Sequence, residues 1–91
     1  MKQRVLVIEG EESQQKVFEA ALLDEYEVDT ASNGGRGLYY LSSNTSYNLV
    51  LLNPQLPDMS GLDVLRYIRT IYTRYDLPVI LLSGLNQSEA I

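Results

Sequence analysis

Three short, wholly aliphatic segments constrain the fold of this chain more than any other feature of its sequence. They are residues 5–8, 49–52 and 79–82, and each contains only Val, Ile and Leu. Such short apolar runs are typical of strands buried on both faces, as in a parallel sheet covered by helices. Residues 26–31 (YEVDTA) instead alternate, which predicts an edge strand with one face toward water.

The segments between these strands have the apolar spacing of helices. The first, residues 13–24, has a stripe that comprises Val17, Phe18, Ala21 and Leu22. We expect the acids before it to suit the helix dipole and Ser13 to cap the helix. A second helix is expected at residues 35–41, weakened by glycine, and a third at residues 62–75. This alternation predicts an open α/β sheet with right-handed crossovers and a ligand crevice at the carboxyl ends of the strands.

The composition excludes several classes of function. Cysteine and histidine are both absent, so disulfides, thiolate chemistry, imidazole bases and the common zinc ligands are excluded together. A formal net charge of -5 argues against nucleic acid as a direct ligand. The length of 91 residues suits a single domain, residues 1–91. Without a signal peptide or a membrane-spanning run, we expect a soluble, cytoplasmic protein with no membrane contact.

Three sequence strings resemble the receiver domain of two-component response regulators. They are VLVIEGEE at residues 5–12, NLVLLNPQLPDMSGLDVLRYIR at residues 48–69 and LPVILLSG at residues 77–84. The resemblance implies a flavodoxin-like (CheY-like) fold, a doubly wound parallel sheet with strand order 2-1-3-4-5. About four strands and three helices, plus the start of a fourth helix, fit into this chain. We therefore expect a receiver-like domain that is incomplete at its C-terminus.

The resemblance also assigns the positions of an active site whose chemistry is missing here. The family's phosphoacceptor aspartate falls on Asn53, and its pair of acids falls on Glu9 and Gly10. A neutral amide is a poor nucleophile, and only one carboxylate remains for magnesium. The family's switch hydroxyl is kept as Ser83, while its lysine and aromatic switch residue fall beyond residue 91. We expect no enzyme activity, no cofactor, and Mg²⁺ binding that is weak or absent.

Asn53 has two interpretations at this level. Its amide could bond Ser83 or Glu9 and lock the neighbouring loop in one conformer, or it could be a relic satisfied by backbone or water, which we favour because buried amides usually find ordinary partners. Ser83 could bind an anion or take part in turn chemistry only. The loop at residues 56–61 is assigned no role beyond turning the chain.

Three functions remain open. The preferred one is a degenerate receiver, or pseudo-receiver, that signals through protein contacts or dimerisation without phosphorylation. The alternatives are a phosphoacceptor that uses a displaced carboxylate, Glu9 or Asp58, with Mg²⁺, and a module that binds a small ligand in the crevice.

The last aliphatic run suggests where a partner would bind. If no fifth strand follows it, the sheet ends in an exposed aliphatic edge, which invites pairing with another chain. The residues expected at this interface are Val79, Ile80, Leu81 and Leu82. We therefore expect a homodimer, or a partner supplied by a longer multidomain signalling protein.

Overall fold

The computed structural model describes residues 2–43 and 45–82. Strands and helices alternate along the chain as β1 (Gln3–Ile8), α1 (Glu12–Leu22), β2 (Tyr26–Ala31), α2 (Gly34–Ser42), β3 (Leu49–Leu52), α3 (Gly61–Ile71) and β4 (Val79–Leu81). The four strands form one parallel sheet in the order β2-β1-β3-β4. This is the CheY-like α/β architecture that the sequence predicts. Ser83 and the expected start of a fourth helix lie outside the described residues.

The sheet is buried between two apolar layers because successive side chains of a strand point to opposite faces. Leu6 and Ile8 of β1 join the larger core, which α2 and α3 cover with residues such as Ile68. Val5 and Val7 point the other way and pack against α1. All four of these β1 side chains have no solvent exposure, which confirms that the first aliphatic run is a central strand.

Two glycines let α2 pack closely against the rest of the fold. A Cβ on Gly37 would lie 2.5 Å from Ile8 Cδ1, and one on Gly34 would lie 2.5 Å from Met59 Cγ. The glycines that weaken this helix intrinsically are therefore used for close approach to β1 and to the loop that precedes α3. Asn33 caps α2, since its side chain accepts a hydrogen bond from the Arg36 backbone N–H at 2.7 Å.

Helix α1 differs from its prediction at its start and in its buried face. Glu11 is the N-cap residue and makes no side-chain cap bond, while Ser13 lies inside the helix, so the predicted serine cap is wrong. Phe18 and Leu22 pack against the sheet as expected. Val17, however, is 59% exposed, because only the side of α1 that faces β1 and β2 is covered in the described part of the chain.

Helix α3 ends four residues earlier than its apolar spacing predicts. Tyr72 is already extended, with φ −124° and ψ 136°. Further along the chain, the backbone N–H groups of Asp76 and Leu77 donate to the Thr73 carbonyl in a turn that leads into β4. Arg69 stabilises this ending, since its guanidinium donates to the Leu77 carbonyl at 2.8 Å. The helical spacing continues through Tyr72, but the chain has to turn there to enter the sheet.

Candidate functional site

The carboxyl ends of β1 and β3 bring Glu9 and Asn53 together, as parallel pairing requires. Ile8 pairs with Leu52 in the register of these two strands. The ladder continues one residue further, because the Asn53 backbone N–H donates to the Ile8 carbonyl at 2.9 Å and that of Glu9 donates to Ala31 at 2.9 Å. Both backbones are therefore held by the sheet, and the two side chains enter the same crevice.

The side chains of Glu9 and Asn53 are hydrogen bonded to each other. Asn53 Nδ2 donates to Glu9 Oε1 at 2.9 Å and to Oε2 at 3.1 Å. The Glu11 backbone N–H donates to the same Oε2 at 3.0 Å. Asn53 Oδ1 in turn accepts from the Gln55 backbone N–H at 2.8 Å. Glu9 is only 4% exposed, so these neutral donors replace the water that a carboxylate normally has.

This geometry gives the Asn53 amide the Glu9 partner that the first interpretation named, while the locking of the loop in one conformer stays a prediction. A hydrogen bond with the backbone, as in the second interpretation, is present at Asn53 Oδ1 but not at Asn53 Nδ2, which donates to the Glu9 side chain. Ser83, the other partner considered, lies outside the described residues.

Gly10, which the resemblance aligns with the family's second acid, lies under the loop that follows β3. A Cβ placed on Gly10 would lie 3.0 Å from Pro57 Cδ and 3.5 Å from the Ser32 carbonyl oxygen. A side chain at this position therefore requires the Pro57 ring to move by a few tenths of an ångström. The space above Gly10 is occupied by this ring.

The residues of the crevice do not fit a magnesium ion. Mg²⁺ requires several hard oxygen ligands in octahedral geometry. Of residues 9, 10 and 53, only Glu9 has a carboxylate, and both of its oxygens already accept hydrogen bonds from N–H groups. Asn53 Oδ1 accepts a hydrogen bond from the Gln55 N–H. Across residues 2–43 and 45–82, no group of three or more acidic side chains is arranged to hold a metal ion.

The loop between β3 and α3, residues 53–60, is held by its own backbone and by a close approach at its end. Gln55 and Ser60 form an antiparallel bridge, and the Gly61 N–H donates to the Pro54 carbonyl at 2.8 Å. A Cβ on Gly61 would collide with the Asn53 carbonyl oxygen, so glycine is required there. Ser60 caps α3 by accepting from the Leu62 N–H at 3.2 Å.

Asp58 gives this loop a role that the sequence analysis missed. Its Oδ1 accepts from the Gly34 N–H at 2.8 Å and its Oδ2 from the Gly35 N–H at 2.9 Å, so it caps α2 from another part of the chain. These hydrogen bonds, first that from Gly35 and then that from Gly34, lower the pKa of the Asp58 carboxyl. The expectation that the loop only turns the chain is therefore wrong. No local pattern marks this contact, because its partners are 23 and 24 residues away in the sequence.

A second polar cluster, also missed, lies toward the amino ends of the strands. Asp29 accepts from the Tyr47 hydroxyl at 2.7 Å and from Arg4 Nη1 at 3.2 Å, while Arg4 Nη2 contacts Glu27 at 2.5 Å. Burial, followed by the hydrogen bond to Asp29, raises the pKa of Tyr47. The shared face of Arg4, Glu27 and Asp29 follows from strand alternation, but only after the register Arg4↔Glu27 is known.

A cleft of about 470 Å³ opens at this same end of the sheet. It is lined by Leu41, Thr45, Ser46, Tyr47, Ile71, Tyr72, Asp76 and Leu77. Asn53 and Glu9 are not among these residues, so the cleft does not coincide with the crevice predicted for a small ligand. Of the helices described here, none has the length and apolarity needed to cross a membrane.

Comparison with known proteins identifies relatives of similar sequence. The chain is 40% identical over 86 residues to the transcriptional regulatory protein DltR of Streptococcus agalactiae (strain NEM316), covering 93% of this chain and 37% of that protein. It is 39% identical over 82 residues to the cell cycle transcriptional regulator CtrA of Caulobacter vibrioides (strain NA1000 / CB15N), covering 89% and 34%. The chain thus spans little more than a third of the length of these relatives.

Solved structures agree with this relationship. A response regulator receiver domain protein from Clostridium thermocellum superposes with a TM-score of 0.82 at 31% identity, covering 97% of this chain and 70% of that one. A chain in the complex of histidine kinase ThkA with response regulator protein TrrA gives a TM-score of 0.80 at 36% identity, covering 90% and 69%. The family model described as the response regulator receiver domain matches residues 5–91. This chain therefore belongs to the response regulator receiver domain family.

Proposed function

We propose that this chain is a receiver module that signals through protein contacts and does not accept a phosphoryl group. The observation that carries the proposal is the hydrogen bond from the Asn53 amide to the buried Glu9 carboxylate. It lies where the family resemblance places the phosphoacceptor. Such a module would act without enzyme activity, in the cytoplasm, as one part of a longer signalling protein.

The chemistry of residue 53 supports this proposal. Attack on phosphorus requires an oxygen with available electron density, which a carboxylate has and a neutral amide largely lacks. Asn53 Oδ1 is also hydrogen bonded to the Gln55 N–H, and its nitrogen is directed at Glu9. Within the described residues, no group of acidic side chains is arranged to hold a metal ion that would neutralise the transferred group, so this part of the charge stabilisation for phosphoryl transfer is missing there.

The two displaced carboxylates are less well suited to replace the acceptor. Asp58 has one backbone N–H on each oxygen and serves as the cap of α2. Glu9 is 4% exposed and accepts hydrogen bonds on both oxygens. These hydrogen bonds withdraw electron density from both carboxylates and fix their orientation, so either one is a weaker candidate for the attack.

The test is incubation of the chain with acetyl phosphate and Mg²⁺, followed by intact-mass measurement. We expect no phosphoryl adduct. The matched control is the double variant Gly10→Asp/Asn53→Asp, which restores both missing acids and should gain a phosphoryl adduct that hydroxylamine removes, as expected of an acyl phosphate, under the same conditions. An adduct on the unsubstituted chain, mapped to Glu9 or Asp58, would overturn the proposal in favour of a displaced acceptor.

We further propose that the 91-residue chain by itself self-associates, with its β4 edge covered by a second copy. Ile80 is 52% exposed and Leu81 is 43% exposed, and β4 is the last strand of the sheet in the described residues. Val79 and Leu82, both half-buried, complete this aliphatic edge. Exposed strand edges of this kind pair readily with another strand, and a second copy offers the same apolar surface.

Light scattering over a concentration series tests the self-association. We expect a dimer that dissociates on dilution, and we expect Ile80→Lys to shift the equilibrium toward monomer because it places a charge at the paired edge. Val17→Lys is the matched control, since Val17 is exposed to a similar extent on α1 and away from β4. A monomer at all concentrations, or equal effects of the two substitutions, would contradict the proposal.

A further inference from the structure

The β3–α3 loop is held at two places that belong to different parts of the fold. At its start, Asn53 donates to Glu9 beside the end of β1. Toward its end, Asp58 accepts from the first two backbone N–H groups of α2, at 2.8 Å and 2.9 Å. The loop therefore connects the crevice to the N-terminus of a helix that does not line the Glu9–Asn53 pair.

An apolar contact reinforces the polar one at α2. Met59 packs directly on Gly34, where an added Cβ would lie 2.5 Å from Met59 Cγ and 2.6 Å from its sulfur. On Gly35, an added Cβ would lie 3.3 Å from Asp58 Oδ2. The first turn of α2 is thus in van der Waals contact with the loop as well as hydrogen bonded to it.

The segment between these two contacts is too constrained to absorb a movement of either one. Pro54 and Pro57 each fix one backbone torsion. The Gln55–Ser60 bridge and the bond from the Gly61 N–H to the Pro54 carbonyl close the segment on itself. A displacement of Asp58 should therefore be transmitted to Asn53, five residues earlier in the chain, rather than be lost in the loop.

We infer that Asp58 is a positioning residue that couples α2 to the Asn53–Glu9 pair, so that release of Asp58 from α2 alters the hydrogen bonding of Asn53. A protein that binds the N-terminal turn of α2 would then change the crevice, and a change in the crevice would be felt at α2. This coupling does not require phosphorylation. It holds whether or not residue 53 can accept a phosphoryl group.

Solution NMR of the isotope-labelled chain tests this inference at both ends of the loop. Asp58→Ala removes both acceptors, and we expect the Gly34 and Gly35 amide resonances to shift. The decisive readout is the Asn53 side-chain NH₂ pair, which should also shift as its bond to Glu9 is altered. Asp58→Asn retains one acceptor oxygen, so it should give smaller shifts in the same direction, and it serves in place of Asp58→Ala if that variant does not fold.

The matched control is Asn33→Ala, which removes the other cap of the same helix. It loosens the first turn of α2 but retains the bonds from the Gly34 and Gly35 N–H groups to Asp58, so the Asn53 side-chain resonances should shift much less than in Asp58→Ala. If Asp58→Ala shifts only the α2 amides, Asp58 is a cap and nothing more, and the inference fails. Equal effects of Asn33→Ala and Asp58→Ala on Asn53 would also overturn it, because fraying of α2 would then be the cause.

Discussion

Each end of the sheet has a polar cluster that contains a carboxylate: the buried Glu9 at one end and the partly buried Asp29 at the other. The two carboxylates have different kinds of hydrogen-bond partner. At the carboxyl ends of the strands, Glu9 is surrounded by neutral N–H donors from Asn53 and Glu11. At the amino ends, Asp29 has the guanidinium of Arg4 as well as the Tyr47 hydroxyl. The amino-end cluster contains its own counter-charge, whereas the Glu9 carboxylate has only neutral N–H partners within residues 2–43 and 45–82.

This difference predicts which end of the sheet should lose more stability when one residue is substituted. A buried charge balanced by dipoles depends on each donor, because loss of one leaves the charge poorly solvated. A charge that also has an ionic partner loses less stabilisation when a neutral hydrogen-bond donor is removed. We therefore expect substitutions in the crevice to have larger effects than equivalent substitutions in the amino-end cluster.

The largest effect is expected for Asn53→Asp. It places a second carboxylate against Glu9, where Asn53 Nδ2 now lies 2.9 Å from Oε1, and like charges at this separation repel. We expect the free energy of unfolding to fall by about 2 kcal/mol in urea denaturation at neutral pH. Mg²⁺ should restore part of the loss, since two carboxylates can share a hard cation.

Asn53→Ala is the control for that measurement. It removes the donor without adding charge, so its loss of stability should be about 1 kcal/mol and independent of Mg²⁺. A stability of Asn53→Asp equal to that of the unsubstituted chain would show that Glu9 is not held as a charge beside residue 53.

A smaller effect is expected for Tyr47→Phe in the amino-end cluster. The substitution removes the hydroxyl that donates to Asp29, but Arg4 remains beside the same carboxylate. We expect a loss of about 1 kcal/mol or less in the same urea measurement. Tyr39→Phe, on a side chain that is 64% exposed, is the matched control and should have no measurable effect. If Tyr47→Phe lost more unfolding free energy than Asn53→Asp, the expectation that the crevice is the more sensitive end would be contradicted.

The pH dependence of the two ends should be opposite. The pKa of Asp58 is lowered in the folded state, so its contribution is present above its unfolded pKa and is lost as pH falls below about 4. The pKa of Tyr47 is raised, so its contribution is present below about pH 10 and is lost as pH rises above that value. Because Asp58 is exposed, we expect its effect to be small and local to α2 and the β3–α3 loop.

NMR titration of the Gly34 and Gly35 amides follows the ionisation of Asp58. The ionisation of Tyr47 is followed by the difference in tyrosinate absorbance between the unsubstituted chain, which has seven tyrosines, and Tyr47→Phe. Asp58→Asn should abolish the acid-dependent shift of these amides, while Tyr47→Phe should leave it in place. An acid-dependent shift that persists in Asp58→Asn would assign the transition to another group.

The fold was predictable to the level of its elements because the sequence pattern and the packing agree. The run at residues 5–8 has no polar residue, and it is the strand with both faces fully covered. The pairing of Glu9 with Asn53 was among the expected contacts, since parallel strands bring their carboxyl ends to one edge. The predicted burial of Val17 was wrong. Val17 has the helical spacing of a buried residue, yet it is exposed, because the side of α1 that contacts the sheet depends on where β1 and β2 lie.

The sequence by itself determined the order of strands and helices and the aliphatic core, because these depend on residue type and local periodicity. The tertiary structure alone decided that Asp58 caps α2, that Pro57 covers Gly10 and that Tyr47 donates to Asp29. Each of these contacts joins residues at least 18 positions apart. Such contacts depend on the register of the sheet and the path of its loops, which local pattern does not specify.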